Sequence, residues 1–185
     1  IRQSSSESPL IELVAQAKAL PWEARVWVVP GERKFLYVKW LRMQNPCAKP
    51  TPERPLFPGQ DFPGLGLGLQ MMVLLQLICD RLELDGVLEI PERIHNAVMY
   101  FKRFRFLNPE MQGKLTAILR DTRECTLAEL AWGSELGNLI DLSTGRPFRW
   151  MASLQALPRT GPVLAHLNSP EYRDKARETM ENCHF

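Results

Sequence analysis

The sequence predicts an α/β fold of the α+β kind, in which a mixed, mostly antiparallel sheet is flanked by helices. The prediction rests on two β-rich runs, at residues 25–29 and 34–43, and on the order of elements that follows them. That order is strand, glycine-rich turn, apolar helix, strand and helix. The 185 residues, of which 45% are hydrophobic and 24% charged, fit a single globular domain.

The N-terminal part is predicted to contain a disordered lead, a helix and a β-hairpin. Residues 1–9 are polar and serine-rich, so the domain is expected to span residues 10–160. Residues 10–20 carry apolar side chains at helical spacing, and Pro21 predicts the end of that helix. The runs 25–29 and 34–43 flank a Pro-Gly turn signal, which predicts an antiparallel hairpin.

The middle of the chain is predicted to form a long loop followed by two helices and a short strand. Residues 45–63 contain six prolines, which remove backbone donors and exclude regular structure. The helix predicted at residues 69–82 is apolar on nearly every side and is therefore expected to be buried. A strand is predicted at residues 87–90, and a second helix from residue 92 to 101 or beyond.

The last third of the chain is less informative. Residues 114–119 and 127–132 fit either strands or helices, and residues 148–157 are predicted to form a strand. Residues 161–185 are predicted to form a C-terminal helical extension, because a polar helix ends at residue 182 and Ser169-Pro170 is a typical helix start.

Composition excludes several classes of function. The net charge of +2 does not predict a polyanionic partner, and no apolar run reaches 18 residues, so neither nucleic acid nor a membrane is expected. The four cysteines form no CxxC pair, so no metal site is expected. Because nothing requires an oxidising compartment and residues 1–9 lack the apolar core of a signal peptide, a cytoplasmic location is expected.

The most informative element is the glycine-rich turn before the apolar helix, Gly64-Leu65-Gly66-Leu67-Gly68. Its glycines let the backbone turn sharply, and the N–H groups and positive dipole end of the helix favour a phosphate there. It lacks the Lys-Ser/Thr of a phosphate-binding P-loop, and its glycine spacing differs from that of a dinucleotide-binding fingerprint. The turn also fits a purely structural role before a tightly packed helix.

The order of elements over residues 25–106 resembles that of the GNAT N-acyltransferases. The signature of that family is Arg/Gln-x-x-Gly-x-Gly/Ala, and here Gln60 precedes Gly64-x-Gly66 by four residues rather than three. A tyrosine near the end of the second helix, Tyr100, is the other point of resemblance. The resemblance implies that acyl-CoA is a cosubstrate and that Gln60 and the backbone of the turn bind its pyrophosphate. It also implies a basic residue at the 3′-phosphate, such as Arg103.

The resemblance implies a role for Tyr100, and removal of the amine proton requires a base, for which the sequence offers two candidates. Tyr100 is the expected proton donor to the departing thiolate, and either Glu89 on the short strand or His95 in the second helix is the expected base. Each also fits a structural role: a core aromatic for Tyr100, a solvated strand face for Glu89 and a packing or capping residue for His95.

The resulting hypothesis is a GNAT-like acyltransferase that transfers an acyl group from acyl-CoA, or from an acyl carrier protein, to an amine. The alternative is a catalytically inactive GNAT-like subunit that binds a protein partner. A third hypothesis, single-strand nucleic-acid binding by the basic and aromatic residues 100–106, is disfavoured by the near-zero net charge.

Overall fold

The computed structural model describes residues 10–19, 34–159 and 161–185. The strands within these ranges are β1 (Ile11–Ala19), β2 (Lys34–Met43), β3 (Gly86–Glu89), β4 (Arg105–Phe106), β5 (Ile140–Asp141), β6 (Arg146–Pro147) and β7 (Gln155–Pro158). The helices are α1 (Gly68–Arg81), α2 (Ile94–Tyr100), α3 (Pro109–Asp121), α4 (Leu127–Glu135), α5 (Gly161–Asn168) and α6 (Pro170–Asn182).

The predicted fold class is confirmed. Five strands form one sheet in the order β1-β2-β3-β7-β4, and β5 and β6 form a separate two-stranded ribbon. Every pair in the large sheet is antiparallel except β2 with β3. The apolar residues on one face pack with α1, and those on the other face pack with α5 and α6. The sheet is therefore covered by helices on both faces.

The N-terminal helix prediction is wrong, because residues 11–19 form strand β1. This strand pairs with β2 along its whole length, from Ile11 opposite Met43 to Ala19 opposite Lys34, with one irregularity after Val14. The apolar spacing of this segment fits a helix as well as a strand, and pairing with β2 decides between them. β1 thus occupies the position beside β2 that the predicted hairpin gave to residues 25–29. Those residues, like the predicted lead at 1–9, lie outside the described ranges.

The crossover from β2 through α1 to β3 positions the glycine-rich turn. β2 and β3 run parallel, with Leu36 opposite Val87 and Val38 opposite Glu89. β3 ends at Glu89, whereas β2 continues to Met43. β2 therefore extends five residues beyond the last pair, and the proline-rich loop leads from its end to the turn. In open parallel sheets, ligands commonly bind outside the carboxyl ends of the strands, and β2 and β3 are the one parallel pair of this sheet.

Helix α1 is confirmed, but its predicted burial on every side is wrong. One side packs on the sheet through Met71, Met72, Leu75 and Cys79. The opposite side leaves Leu69, Val73 and Leu77 exposed at 68%, 50% and 59%. We call these three residues, which are spaced four apart along one line of the helix, the outer stripe of α1.

The second helix is confirmed but spans Ile94–Tyr100, so it does not continue beyond residue 101. The reason is that Phe104 and Phe106 both enter the core, and Phe106 pairs with Gln155 as part of β4. The guanidinium of Arg105 donates to the carbonyl oxygen of Leu167 at 2.9 Å and to Asn168 Oδ1 at 3.1 Å. The segment after α2 is therefore fixed as a strand.

The two segments that fitted either strands or helices are both helical. Asn108 caps α3 by accepting from the backbone N–H of Glu110 at 2.8 Å. Thr126 and Glu129 form a capping box at the start of α4. The strand predicted at 148–157 is shorter and later, because only residues 155–158 pair with β3 and β4.

The polar helix predicted at the C-terminus consists of two helices, α5 and α6, because Ser169 caps α6 and separates it from α5. Tyr172 in α6 is buried, and its hydroxyl donates to the carbonyl oxygen of Phe106 at 2.6 Å. Residues 161–182 thus contribute to the core beside β4 and β7.

The contact between α3 and α6 gives a first prediction. A Cβ on Gly113 would lie 2.4 Å from the carbonyl oxygen of Ala176 and 2.7 Å from Thr179 Cβ, so Gly113→Ala must separate the helices. We expect it to lower the free energy of unfolding by about 1–3 kcal/mol. The matched control is Gly133→Ala in α4, where a Cβ meets nothing within 4 Å, and which should raise stability by about 0.5–1 kcal/mol. Urea unfolding measures the stability of both variants. If the two substitutions changed stability equally, the close packing of α3 on α6 would be contradicted.

Candidate functional site

The glycine-rich turn lies against the end of β2, beyond the last residue of β2 that pairs with β3. Gly64 forms a β-bridge with Gln44, and the N–H of Leu65 donates to the carbonyl oxygen of Met43 at 3.2 Å. Gly66 has a φ of +74°, which favours glycine, and a Cβ built on it would meet no atom within 4 Å. The turn is therefore anchored to the end of β2 and has open space at its centre.

The helix that follows the turn begins without a side-chain cap. The N-cap residue Leu67 offers no hydrogen-bonding side chain, and the first turn contains no acidic residue. The first N–H groups of a helix have no partner within the helix, and the N-terminal end carries a partial positive charge. The start of α1 is thus suited to bind an anion across the open space beside Gly66.

Tyr100 lies beside this helix start. A Cβ built on Gly68 would lie 3.9 Å from Tyr100 Cε1, so the tyrosine ring reaches the first residue of α1. Burial, and then the charge of Glu89, raises the pKa of Tyr100 to about 12. At neutral pH the hydroxyl is therefore protonated and can donate a proton.

Glu89, the last residue of β3, is the other titratable group at this place. Its Oε1 atom is buried and has no hydrogen-bond partner. Burial raises the pKa of this carboxyl to about 7. Because its charge acts on Tyr100, the two side chains share one environment. A carboxyl that titrates near neutral pH is suited to take up and release protons.

The structure places His95 in a different environment. The ring of His95 is buried and stacks on Phe57 of the proline-rich loop, with ring centroids 5.0 Å apart. Burial, and then the charge of Arg93, lowers the pKa of His95 to about 4, so the ring is neutral at pH 7. His95 and Tyr100 also face directions roughly 140° apart around the axis of α2. His95 therefore packs with the loop, away from the direction of Tyr100.

Gln60 and Arg103 lie at the periphery. The side-chain oxygen of Gln60 accepts from the backbone N–H of Phe57 at 3.1 Å, which closes a turn within the loop. Arg103 is exposed in the turn that follows α2, and its backbone N–H donates to the carbonyl oxygen of Tyr100 at 2.9 Å. The backbone of Arg103 is thus held close to that of Tyr100 at the surface.

Two features of the site were missed by sequence reasoning. The proline-rich loop is fixed at one point by the indole N–H of Trp132, which donates to the carbonyl oxygen of Leu56 at 2.9 Å. The other feature is Gln155, which is fully buried and lies opposite Glu89 in the pairing of β3 with β7. Because these contacts join distant parts of the chain, no local pattern in the sequence indicates them.

The pKa of His95 gives a second prediction. In the unfolded chain His95 takes up a proton near pH 6.5, whereas in the folded chain it does so only near pH 4. The unfolded state therefore binds more protons in this window, and falling pH costs about 3 kcal/mol of stability. His95→Leu should remove this loss, so the stability of the variant should increase relative to that of the wild type as pH falls from 6.5 to 4. Urea unfolding measures both proteins. A stability difference between them that stays constant over this pH range would contradict the lowered pKa of His95.

Comparison with known proteins finds no family model, no curated protein and no solved structure that matches the chain. Within the described ranges, no helix has the length and apolar character needed to cross a membrane. In the same part of the chain, no three His, Cys, Asp or Glu side chains are grouped as metal ligands would be.

Proposed function

We propose that the protein is a GNAT-like acyltransferase that transfers an acyl group from acyl-CoA, or from an acyl carrier protein, to an amine. One observation carries the proposal. Tyr100 reaches the uncapped start of α1, and it lies close enough to Glu89, the last residue of β3 to pair with β2, for the charge of that carboxyl to raise its pKa. The order of strand, glycine turn, helix, strand and helix with a tyrosine supports the GNAT comparison.

The donor binds through backbone groups. The pyrophosphate of the coenzyme accepts hydrogen bonds from the N–H groups at Gly66, Leu67 and Gly68, in the open space of the turn. The exposed guanidinium of Arg103 pairs with the 3′-phosphate. The side-chain oxygen of Gln60 holds the shape of the loop by accepting from Phe57, and its amide nitrogen is the group that donates to phosphate.

The reaction uses Glu89 and Tyr100 as a pair. The amine nitrogen attacks the acyl carbonyl carbon, the new C–N bond forms, and the C–S bond breaks. Glu89 takes the proton that leaves the amine nitrogen, and Tyr100 gives its phenolic proton to the sulfur. The proton on Glu89 then passes to the phenolate, since the pKa of Tyr100 is about 12 and that of Glu89 about 7. Both groups thus return to their starting states.

Glu89 is the better of the two candidate bases. A base works best when its pKa lies near the working pH. The pKa of Glu89 is about 7, whereas that of His95 is about 4, so His95 accepts protons only weakly at neutral pH.

The test is release of free thiol from acetyl-CoA and longer acyl-CoAs, with a panel of primary amines, by the wild type and by Tyr100→Phe. The phenylalanine keeps the ring contact with Phe104 and removes only the hydroxyl. We expect an amine-dependent release that Tyr100→Phe slows by about a hundredfold. The exposed neighbour Met99, changed to Leu, is the control and should leave the rate unchanged. Absence of release with every amine would contradict catalysis.

A second function, a non-catalytic subunit that binds a protein partner, is supported by the outer stripe of α1. Three large apolar side chains exposed in one line are typical of helices that pack on another surface. Under this alternative, the double variant Val73→Lys and Leu77→Lys should dissociate a complex seen by analytical ultracentrifugation of the wild type. A wild type that sediments as a monomer at micromolar concentration would contradict self-association through the stripe.

A further inference from the structure

Gln155, the first residue of β7, has an unusual environment. Its side chain is fully buried, and neither its amide nitrogen nor its amide oxygen has a hydrogen-bond partner. Most buried polar groups are hydrogen-bonded, and one left unpaired costs stability. An apolar residue would fill this position at less cost, so the carboxamide is a candidate for a functional role.

Glu89 is the natural partner of Gln155. The two residues lie directly opposite each other in the antiparallel pairing of β3 with β7. They also face the same side of the sheet, because Val87 and Leu157, two positions away on each strand, both pack in the cluster beneath α1. Residues paired in this way have Cβ atoms about 4.5–5.5 Å apart, so rotation of the two side chains brings the carboxyl and the carboxamide into contact.

We propose that Gln155 is a positioning residue that holds Glu89 in both of its protonation states. When Glu89 is ionised, the amide N–H of Gln155 donates to the carboxylate. When Glu89 has taken the proton from the amine, its O–H donates to the amide oxygen of Gln155. A carboxamide suits this role because it offers a donor and an acceptor on one planar group. The catalytic part of the inference rests on the proposed acyl transfer.

The surroundings of Glu89 leave this role to Gln155. Val38, opposite Glu89 on β2, is apolar, and Tyr100 from α2 is the titratable group on which the charge of Glu89 acts. Tyr100 remains protonated at neutral pH and is assigned to the sulfur, whereas Gln155 carries no charge in either state. Because Gln155 is fully buried, it acts through Glu89 and does not contact the substrate.

The test is a pH titration of the Glu89 carboxyl by carbon-13 NMR on the whole chain, with the signal assigned by its loss in Glu89→Gln. Gln155→Met preserves the shape of the side chain and removes both hydrogen-bonding groups. We expect it to raise the titration midpoint of Glu89 by about one pH unit, because the charge-assisted hydrogen bond lost by the carboxylate is stronger than the neutral one lost by the protonated acid. Gln155→Leu is a second apolar variant and should give the same shift. Leu157→Met, on the same face of β7, should leave the midpoint unchanged.

The outcomes separate this inference from the proposed function. A midpoint unchanged in both folded Gln155 variants would overturn the positioning role, even if acyl transfer is observed. A raised midpoint in a protein that transfers no acyl group would support the pairing of Gln155 with Glu89 and overturn the acyltransferase proposal. If transfer is observed, the pH–rate profile of Gln155→Met should shift in the same direction as the NMR midpoint.

Discussion

Leu67→Asp is expected to weaken the binding of coenzyme A at least about a hundredfold. The substitution places a carboxylate at the N-cap of α1, where the pyrophosphate is proposed to bind. Two like charges 4 Å apart repel by roughly 4 kcal/mol at an effective dielectric constant of about 20, and every 1.4 kcal/mol is about tenfold in affinity. Calorimetric titration with coenzyme A measures the loss.

The design separates binding from folding. An aspartate at an N-cap stabilises a helix, so the variant should unfold no more easily than the wild type. Leu67→Asn is the matched control, since asparagine has the same shape and caps a helix equally well but carries no charge. We expect Leu67→Asn to bind coenzyme A within a few-fold of the wild type. Equal weakening by both substitutions would show that the leucine side chain, and not the anion site, is responsible.

Glu89→Gln is expected to lower acyl transfer by about 10²–10⁴-fold and, at pH 8, to raise stability. The folded protein keeps the Glu89 proton up to a pKa of about 7, whereas the unfolded chain releases it near 4.5. Between these values the unfolded state binds fewer protons, so rising pH destabilises the wild type by about 3 kcal/mol in all. Glutamine does not titrate, so the variant does not lose this stability.

Urea unfolding of both proteins between pH 5 and 8 measures the effect. The stability difference in favour of Glu89→Gln should grow as pH rises and level off above the pKa of Glu89. Protonation of His95 changes stability with pH in the opposite direction, but by the same amount in both proteins. It therefore cancels in the stability difference. A variant that gains no stability at pH 8 would contradict the burial of the carboxyl. Full activity in the variant would contradict its role as the base.

The sequence predicts the elements that carry strong local signals. The crossover from β2 through the glycine-rich turn and α1 to β3 is one example, because the glycines, the apolar run and Pro91 mark each boundary. The Ser169-Pro170 signal is another, and Ser169 does cap α6. The helix prediction for residues 10–20 is wrong because their apolar pattern fits both a helix and a strand. Only the pairing with β2, which is distant in sequence, selects the strand.

The candidate site could be predicted only in part, for the same reason. Gly66, Glu89 and Tyr100 could be selected from sequence because each belongs to a motif or to a short predicted strand. Gln155 could not, because its position opposite Glu89 depends on β7 pairing with a strand some 65 residues earlier in the chain. The exposure of Leu77 was likewise hidden, since composition does not tell which side of α1 the sheet covers.

The most direct test of the proposed acyl-CoA site is a nitrogen-15 NMR titration of the wild type with acetyl-CoA. The account predicts that the backbone amide signals of Gly66, Leu67 and Gly68 move in a saturable way, together with signals near Tyr100. Saturable changes confined to other parts of the chain, or no change at millimolar acetyl-CoA, would contradict a coenzyme site at the start of α1.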